Sequence, residues 1–326
     1  MSRDNVRKPE HPGAGMNSIQ WNGQRISKPG IYAGIPLDDY HRGDICDGPS
    51  VSSSGLRMLW KTSPEHFWDK SPLNPQRSDE DDDKKQYVIG RAAHHLICGE
   101  VGFSDHYVIR PELAPDGRAW HGANKTCIKW LADQRAARLT VLTPDDAESV
   151  RGMAIKLGQN TMMQNGILSG LVERSMFWRD KTTGVWLKSR PDVISTASGD
   201  FADLKTTNSV LYADTQKSID DFCYQMQGAL VMEGAATLGL PINTFSLVWV
   251  EKKRPYCVRV QTLIDDDLVL GSKMNRAMID TFNACFTAKH WPGPGDDRAD
   301  AEFVKLSDRA RERIETRLQY QLREAA

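Results

Sequence analysis

An α/β fold, with a central mixed sheet flanked by helices, is what three features of the sequence predict. Segments 171–178 (LVERSMFW), 185–194 (VWLKSRPDVI) and 200–205 (DFADLK) are rich in β-branched and aromatic residues and are separated by turn-forming stretches. A helical period then runs through 216–239 and stops at Gly239, and 243–251 (NTFSLVWVE) and 256–264 return to strand character. The expected order is βββαβ, with further helices outside it.

The elements follow in chain order. Residues 1–48 mix Gly, Pro and polar residues without a sustained period, which predicts a poorly ordered arm with one short strand around Ile31. Ser52, Ser53 or Ser54 can cap a helix whose Leu56, Leu59 and Trp60 share a face, and Ser63-Pro64-Glu65 starts a second one carrying Phe67 and Trp68. Residues 71–86 read as an exposed loop; its run Asp79-Glu80-Asp81-Asp82-Asp83 is self-repelling, and its carboxylates diverge too much for a metal site. Ala92, Ala93, Leu96 and Ile97 define a helix in which one of His94 and His95 faces inward. A helical layer is expected over about 100–160, with Thr143-Pro144-Asp145-Asp146 opening a helix through Val150, Met153 and Leu157. Turns at 180–184 and 195–199 join the three central strands into an antiparallel meander. The predicted domains are an arm (1–48), a main domain (49–295) and an amphipathic C-terminal helix (296–326) bearing Phe303, Leu306, Ile314 and Leu318.

Composition bounds the function. The 326 residues include 42 Lys and Arg against 43 Asp and Glu, a net charge of -1, which excludes a uniformly basic coat but permits a local basic channel. Six cysteines form no CxxC pair, so reduced thiols in a cytoplasmic protein are expected. No apolar run approaches the roughly 18 residues of a membrane span, and MSRDNVRKPEHPGAG lacks the apolar core of a signal peptide.

Chemistry concentrates in the central strands. Asp192 follows Pro191, and in Asp203-Leu204-Lys205 the acid and the amine share one strand face, because side chains two apart point the same way. Two carboxylates on adjacent strands can hold Mg²⁺, while a nearby lysine orients or deprotonates water and offsets developing charge. The alternative for this short pattern is a surface hairpin with an exposed ion pair.

Several motifs follow one another in order: SPEHFW (63–68), GRAAHH (90–95), Glu173-x4-Trp178 with TGVWLKSRPDVI (183–194), DLKTT (203–207), YQMQGAL (224–230) and CFTAKHWPG (285–293). With them the chain resembles the RecE-type (exonuclease VIII) branch of the PD-(D/E)XK nucleases, related to the RecB nuclease domain and lambda exonuclease. The resemblance covers roughly residues 50–295 and implies a restriction-endonuclease-like core. It implies Asp192, Asp203 and the Leu204 carbonyl as ligands of Mg²⁺, with Mn²⁺ as substitute. Lys205 becomes the catalytic amine, and His94 a metal ligand or neighbour with His95 as its fallback. Glu173 is an additional acid, and Gln227 the amide of a Gln-x3-Tyr helix motif whose tyrosine position is occupied by Val231. Gln225 is the alternative amide; on a helix it points about 200° away from Gln227, so only one can face the site.

The activity so implied is Mg²⁺-dependent 5′ to 3′ exonuclease action on double-stranded DNA ends, leaving 3′ overhangs for phage or prophage recombination. A RecT-like annealing partner and a homo-oligomeric ring come with it. One rival is a RecB-like nuclease of other specificity with an iron–sulfur cluster, disfavoured by the absence of clustered cysteines. The other is a non-catalytic DNA-binding protein that kept the fold.

Overall fold

The computed structural model describes residues 18–77, 85–97, 102–172, 174–194, 198–296 and 299–324, in two units, 1–291 and 292–326. The first unit begins with β1 (Ile19–Gln20), β2 (Gly30–Ala33) and the short α1 (Leu37–His41). β3 (Ser50–Ser52) leads into α2 (Ser53–Lys61), with Ser52 at its N-cap, and α3 (Pro64–Lys70) starts as expected, the Ser63 side chain accepting from the His66 amide. α4 (Lys85–Ile97) follows, then α5 (Phe103–His106), β4 (Tyr107–Ile109), α6 (Lys125–Ala136) and β5 (Thr140–Leu142). α7 (Pro144–Gly158) opens with the reciprocal Thr143–Asp146 capping box, and α8 (Thr161–Gln164) closes this region. The expected helical layer is therefore not wholly helical, since β4 and β5 pair in parallel within it.

The central strands are β6 (Leu171–Val172), β7 (Arg174–Arg179), β8 (Trp186–Ser189), β9 (Val193–Ile194) and β10 (Phe201–Thr207). They are followed by α9 (Tyr212–Phe222), α10 (Tyr224–Thr237), β11 (Phe245–Glu251), β12 (Val258–Thr262) and α11 (Asp265–Ala288). Mixed pairing is present, but in two principal sheets: β1-β2-β7-β8-β3, and β10-β11-β12. The antiparallel meander is not formed. β7 and β8 do pair antiparallel, whereas β9 pairs with β6, and β10 lies parallel to β11 with Asp203 opposite Leu247 and Lys205 opposite Trp249. Buried on both faces, β11 reads as a nearly continuous apolar run, as a central parallel strand requires.

β10 divides the core. Ala202 and Leu204 pack with Val248, Val250 and residues of α4 and α7, while Phe201 faces the larger core with Leu247, Trp249, Met226 and Leu230. The helix expected over 216–239 is two helices, because Cys223 adopts φ 52° and ψ 51°, a left-handed conformation that ends α9 and redirects α10. Glycines permit close packing next to it: a Cβ on Gly271 of α11 would lie 2.2 Å from the Gln225 carbonyl.

Residues 18–48 depart from the expected arm. Ile26, Tyr32, Tyr40 and Ile45 pack on Phe177 and Trp186, and β2 pairs with β7. Lys188 is 4 % exposed beneath them, its Nζ donating to the Tyr40 carbonyl at 2.7 Å, and burial lowers its pKa to about 8. Between about pH 8 and the ordinary lysine value the unfolded chain holds the proton that the folded chain has released. Stability should therefore rise through that window as the cost of burying the charge is relieved. Denaturant titrations at several alkaline pH values check this: the rise should be missing in Lys188→Met, and an identical rise in that variant would assign it to another group.

The second unit carries α12 (Asp308–Glu324), which is shorter than the helix expected over 296–326: Phe303 and Leu306 precede it, and Ile314, Leu318, Tyr320 and Leu322 on it are exposed.

Candidate active site

The edge of β10 turned away from β11 faces Asp192, in the segment between β8 and β9. The Asp192 carboxylate accepts the Leu204 amide at 2.6 Å on Oδ2 and His94 Nδ1 at 3.1 Å on Oδ1. Because the N–H and C=O of a strand residue leave toward the same edge, the Leu204 carbonyl lies on the Asp192 side as well. The Leu204 side chain itself is fully buried.

Asp203 and Lys205 project from the other face, towards α10. Lys205 Nζ meets Asp203 Oδ2 at 2.5 Å and donates to Gln227 Oε1 at 3.2 Å, and Gln227 Nε2 donates to Asp203 Oδ1 at 2.7 Å, closing a three-membered ring. Tyr224, one helical turn before Gln227, lays its ring 4.4 Å from Lys205 Nζ. Gln225 points elsewhere, its amide against Met274 Sδ, so Gln227 is the amide at the site; Val231, in the expected tyrosine position, is 1 % exposed in the core.

Burial and mutual charge set the electrostatics. Burial, reinforced by Asp192, raises the Asp203 pKa, whereas for Asp192 the opposing burial is outweighed by His94, Lys205 and the Leu204 amide, so its pKa is lowered. Burial would depress Lys205, but Asp203, Tyr224 and Asp192 outweigh it and keep the ammonium protonated; Asp192 likewise raises His94 against its burial. Asp203 is buried and Asp192 half-buried, and two carboxylates close enough for one to raise the pKa of the other favour a cation near both. Asp203 Oδ2 meets only the Lys205 ammonium, an ion-pair contact for which a divalent cation would compete. Two carboxylates and a strand carbonyl are the donor chemistry of Mg²⁺ or Mn²⁺, so the residues fit such an ion. His94 sits against Asp192, its Nδ1 3.1 Å from Oδ1. His95 turns inward, 6 % exposed, against Phe103 and Tyr107. Glu173 and the acidic run 79–83 lie outside the described residues.

Arg57 escaped the sequence reading. Its guanidinium lies 5.7 Å from the Tyr224 ring centroid, and Nη1 donates to the Phe222 carbonyl at 3.0 Å. The only signal was a basic residue inside the Ser-rich helix start, a common sight on any helix.

An α/β fold that brings two acids and a lysine together around one strand defines a PDDEXK-like domain, the class to which the PD-(D/E)XK nucleases belong. The sequence matches one family in that class over residues 52–301, and the chain belongs to it: PDDEXK-like domain of unknown function (DUF3799). In fold it is similar to a provisionally named exonuclease from Eubacterium rectale, known from a crystal structure. That comparison gives a TM-score of 0.52 and 12 % identity over 78 % of this chain and 90 % of that one, a likeness of fold alone. No curated protein matches the chain in sequence.

Proposed function

We propose that the chain is a divalent-metal-dependent exodeoxyribonuclease acting on double-stranded DNA ends through a restriction-endonuclease-like core. The observation that carries this is that Asp192 holds the Leu204 amide on one edge of β10, while Asp203 and Lys205, on either side of Leu204, pair with each other. Asp192, Asp203 and the Leu204 carbonyl would hold Mg²⁺ or Mn²⁺, which when bound polarises a phosphoryl oxygen and acidifies water. Lys205, kept in place by Gln227, orients the attacking water and offsets charge developing on the phosphate. His94 fixes the Asp192 carboxylate, and Glu173 is the additional acid. The RecE-type resemblance supports 5′ to 3′ polarity, 3′ overhangs, a RecT-like annealing partner and a recombination role. The cysteine pattern supports action in the cytoplasm; among the described residues no helix is long and apolar enough to cross a membrane.

End-labelled linear duplex tests the reading and its polarity together. Label should be released with Mg²⁺ or Mn²⁺ and suppressed by Ca²⁺, whose larger radius and looser coordination hold nucleophile and phosphate badly for in-line attack. Robust hydrolysis in excess chelator would remove the mechanism.

The active form is proposed to be a closed ring. A net charge of -1 gives little overall field with which to hold a polyanion, so staying on DNA through many cycles is better explained by encirclement. The apolar stripe of α12 offers material for a head-to-tail contact. Light scattering should show an oligomer that is lost on deleting residues 296–326, and a monomer that degrades long duplex processively would refute the ring.

A further inference from the structure

We propose that Phe222 is a substrate-positioning residue on which a nucleobase of the strand being cleaved stacks, an inference that rests on the nuclease reading above. Phe222 ends α9 and is 51 % exposed, an unusual setting for a phenylalanine so near a catalytic set. Its ring lies offset-stacked on Tyr224 (centroids 5.6 Å apart, 28° between planes), and Tyr224 in turn covers Lys205 Nζ at 4.4 Å. Two short steps therefore lead from the amine to an open aromatic face, within reach of a base on the reacting nucleotide or its neighbour.

The ring is held from behind. Arg57 donates to the Phe222 carbonyl and Lys61 to the Asp221 carbonyl, so two cations from α2 satisfy the end of α9 and fix the left-handed turn at Cys223. Lys61 Nζ also lies 5.5 Å from the Phe222 ring, and Lys217 pairs with Asp221, so the adjacent Asp220 and Asp221 are set against three cations, Arg57, Lys61 and Lys217. With the backbone beneath it fixed this way, the ledge needs little ordering when a base arrives. Stacking also suits degradation from an end, because every base offers a π face and the contact positions successive nucleotides without selecting sequence.

The test compares Phe222→Ala, Phe222→Leu and Phe222→Trp with the unaltered protein on end-labelled duplex carrying one abasic nucleotide, moved stepwise along the strand that is cleaved. On intact DNA, kcat/KM should fall about tenfold in the Ala and Leu variants and be retained by Trp, a loss at the lower end of what base stacking contributes. An abasic nucleotide at one position should slow the unaltered protein by a similar factor and should not slow Phe222→Ala further, because the contact is already gone. Equal rates for Ala, Leu and unaltered protein would overturn the proposal. So would abasic penalties that are the same in Ala and unaltered protein at every position, since a merely structural ring would yield that. Absence of DNA hydrolysis by the unaltered protein would instead sink the nuclease reading, and this inference with it.

Discussion

Asp203→Ala should abolish cleavage, a loss beyond any single hydrogen bond, because it removes both a proposed metal ligand and the partner that fixes Lys205. Asp203 is 4 % exposed and both its oxygens are engaged, Oδ1 by Gln227 and Oδ2 by the Lys205 ammonium. The substitution therefore leaves a buried cation without its main counter-charge, and burial then pulls the Lys205 pKa down, where Asp203 had held it up. Breaking such a pair costs on the order of 3 kcal/mol, less whatever Lys205 recovers by losing its proton. Stability should fall measurably in thermal melts while duplex binding persists, since phosphate contacts elsewhere supply most of the affinity. Asp203→Asn separates the two effects: it keeps the volume and the bond from Gln227, so it should melt closer to the unaltered protein and be equally inactive. Near-normal cleavage by folded protein of either kind would sink the site.

The acid and the amine were legible because strand parity is local. Residues 203 and 205 share a face whichever neighbour β10 chooses, and Asp192 lies close enough in sequence to return to the same edge. The choice of neighbour was not legible. β10 pairs with β11 across an intervening pair of helices, and only the fit of Leu247 and Trp249 against α10 distinguishes that arrangement from a meander. The break at Cys223 was hidden for a similar reason. No Gly or Pro marks it, and the carbonyls it frees are satisfied by Arg57 and Lys61, more than 150 residues away in sequence. Residues 18–48 looked irregular because Ile26, Tyr32 and Ile45 follow no period; their order comes from the aromatic surface of Phe177 and Trp186. Gln227 was read from the family motif alone, and the choice over Gln225 became physical only when α10 turned one face to Lys205.

Lys205→Ala should reduce cleavage by several orders of magnitude without abolishing metal binding, whereas Asp203→Ala removes a proposed ligand. The amine contacts Asp203 and Gln227, positions suited to aligning water and offsetting charge as the phosphate reacts, and removal of such a group acts on the transition state. Its effect on metal affinity has a definite sign. The ammonium occupies Asp203 Oδ2, an oxygen that a divalent cation would also need, so the two compete for it. Without the lysine, Asp192 and Asp203 stand together with no neighbouring ammonium. Their repulsion raises the Asp203 pKa further at neutral pH, and a divalent ion relieves that repulsion. Mn²⁺ titrated calorimetrically into Lys205→Ala should bind at least as tightly as to the unaltered protein, with more protons released on binding, while label release from end-labelled duplex falls nearly to background. Surviving activity together with collapsed metal affinity would show that Lys205 organises the ligands instead of acting on the reaction.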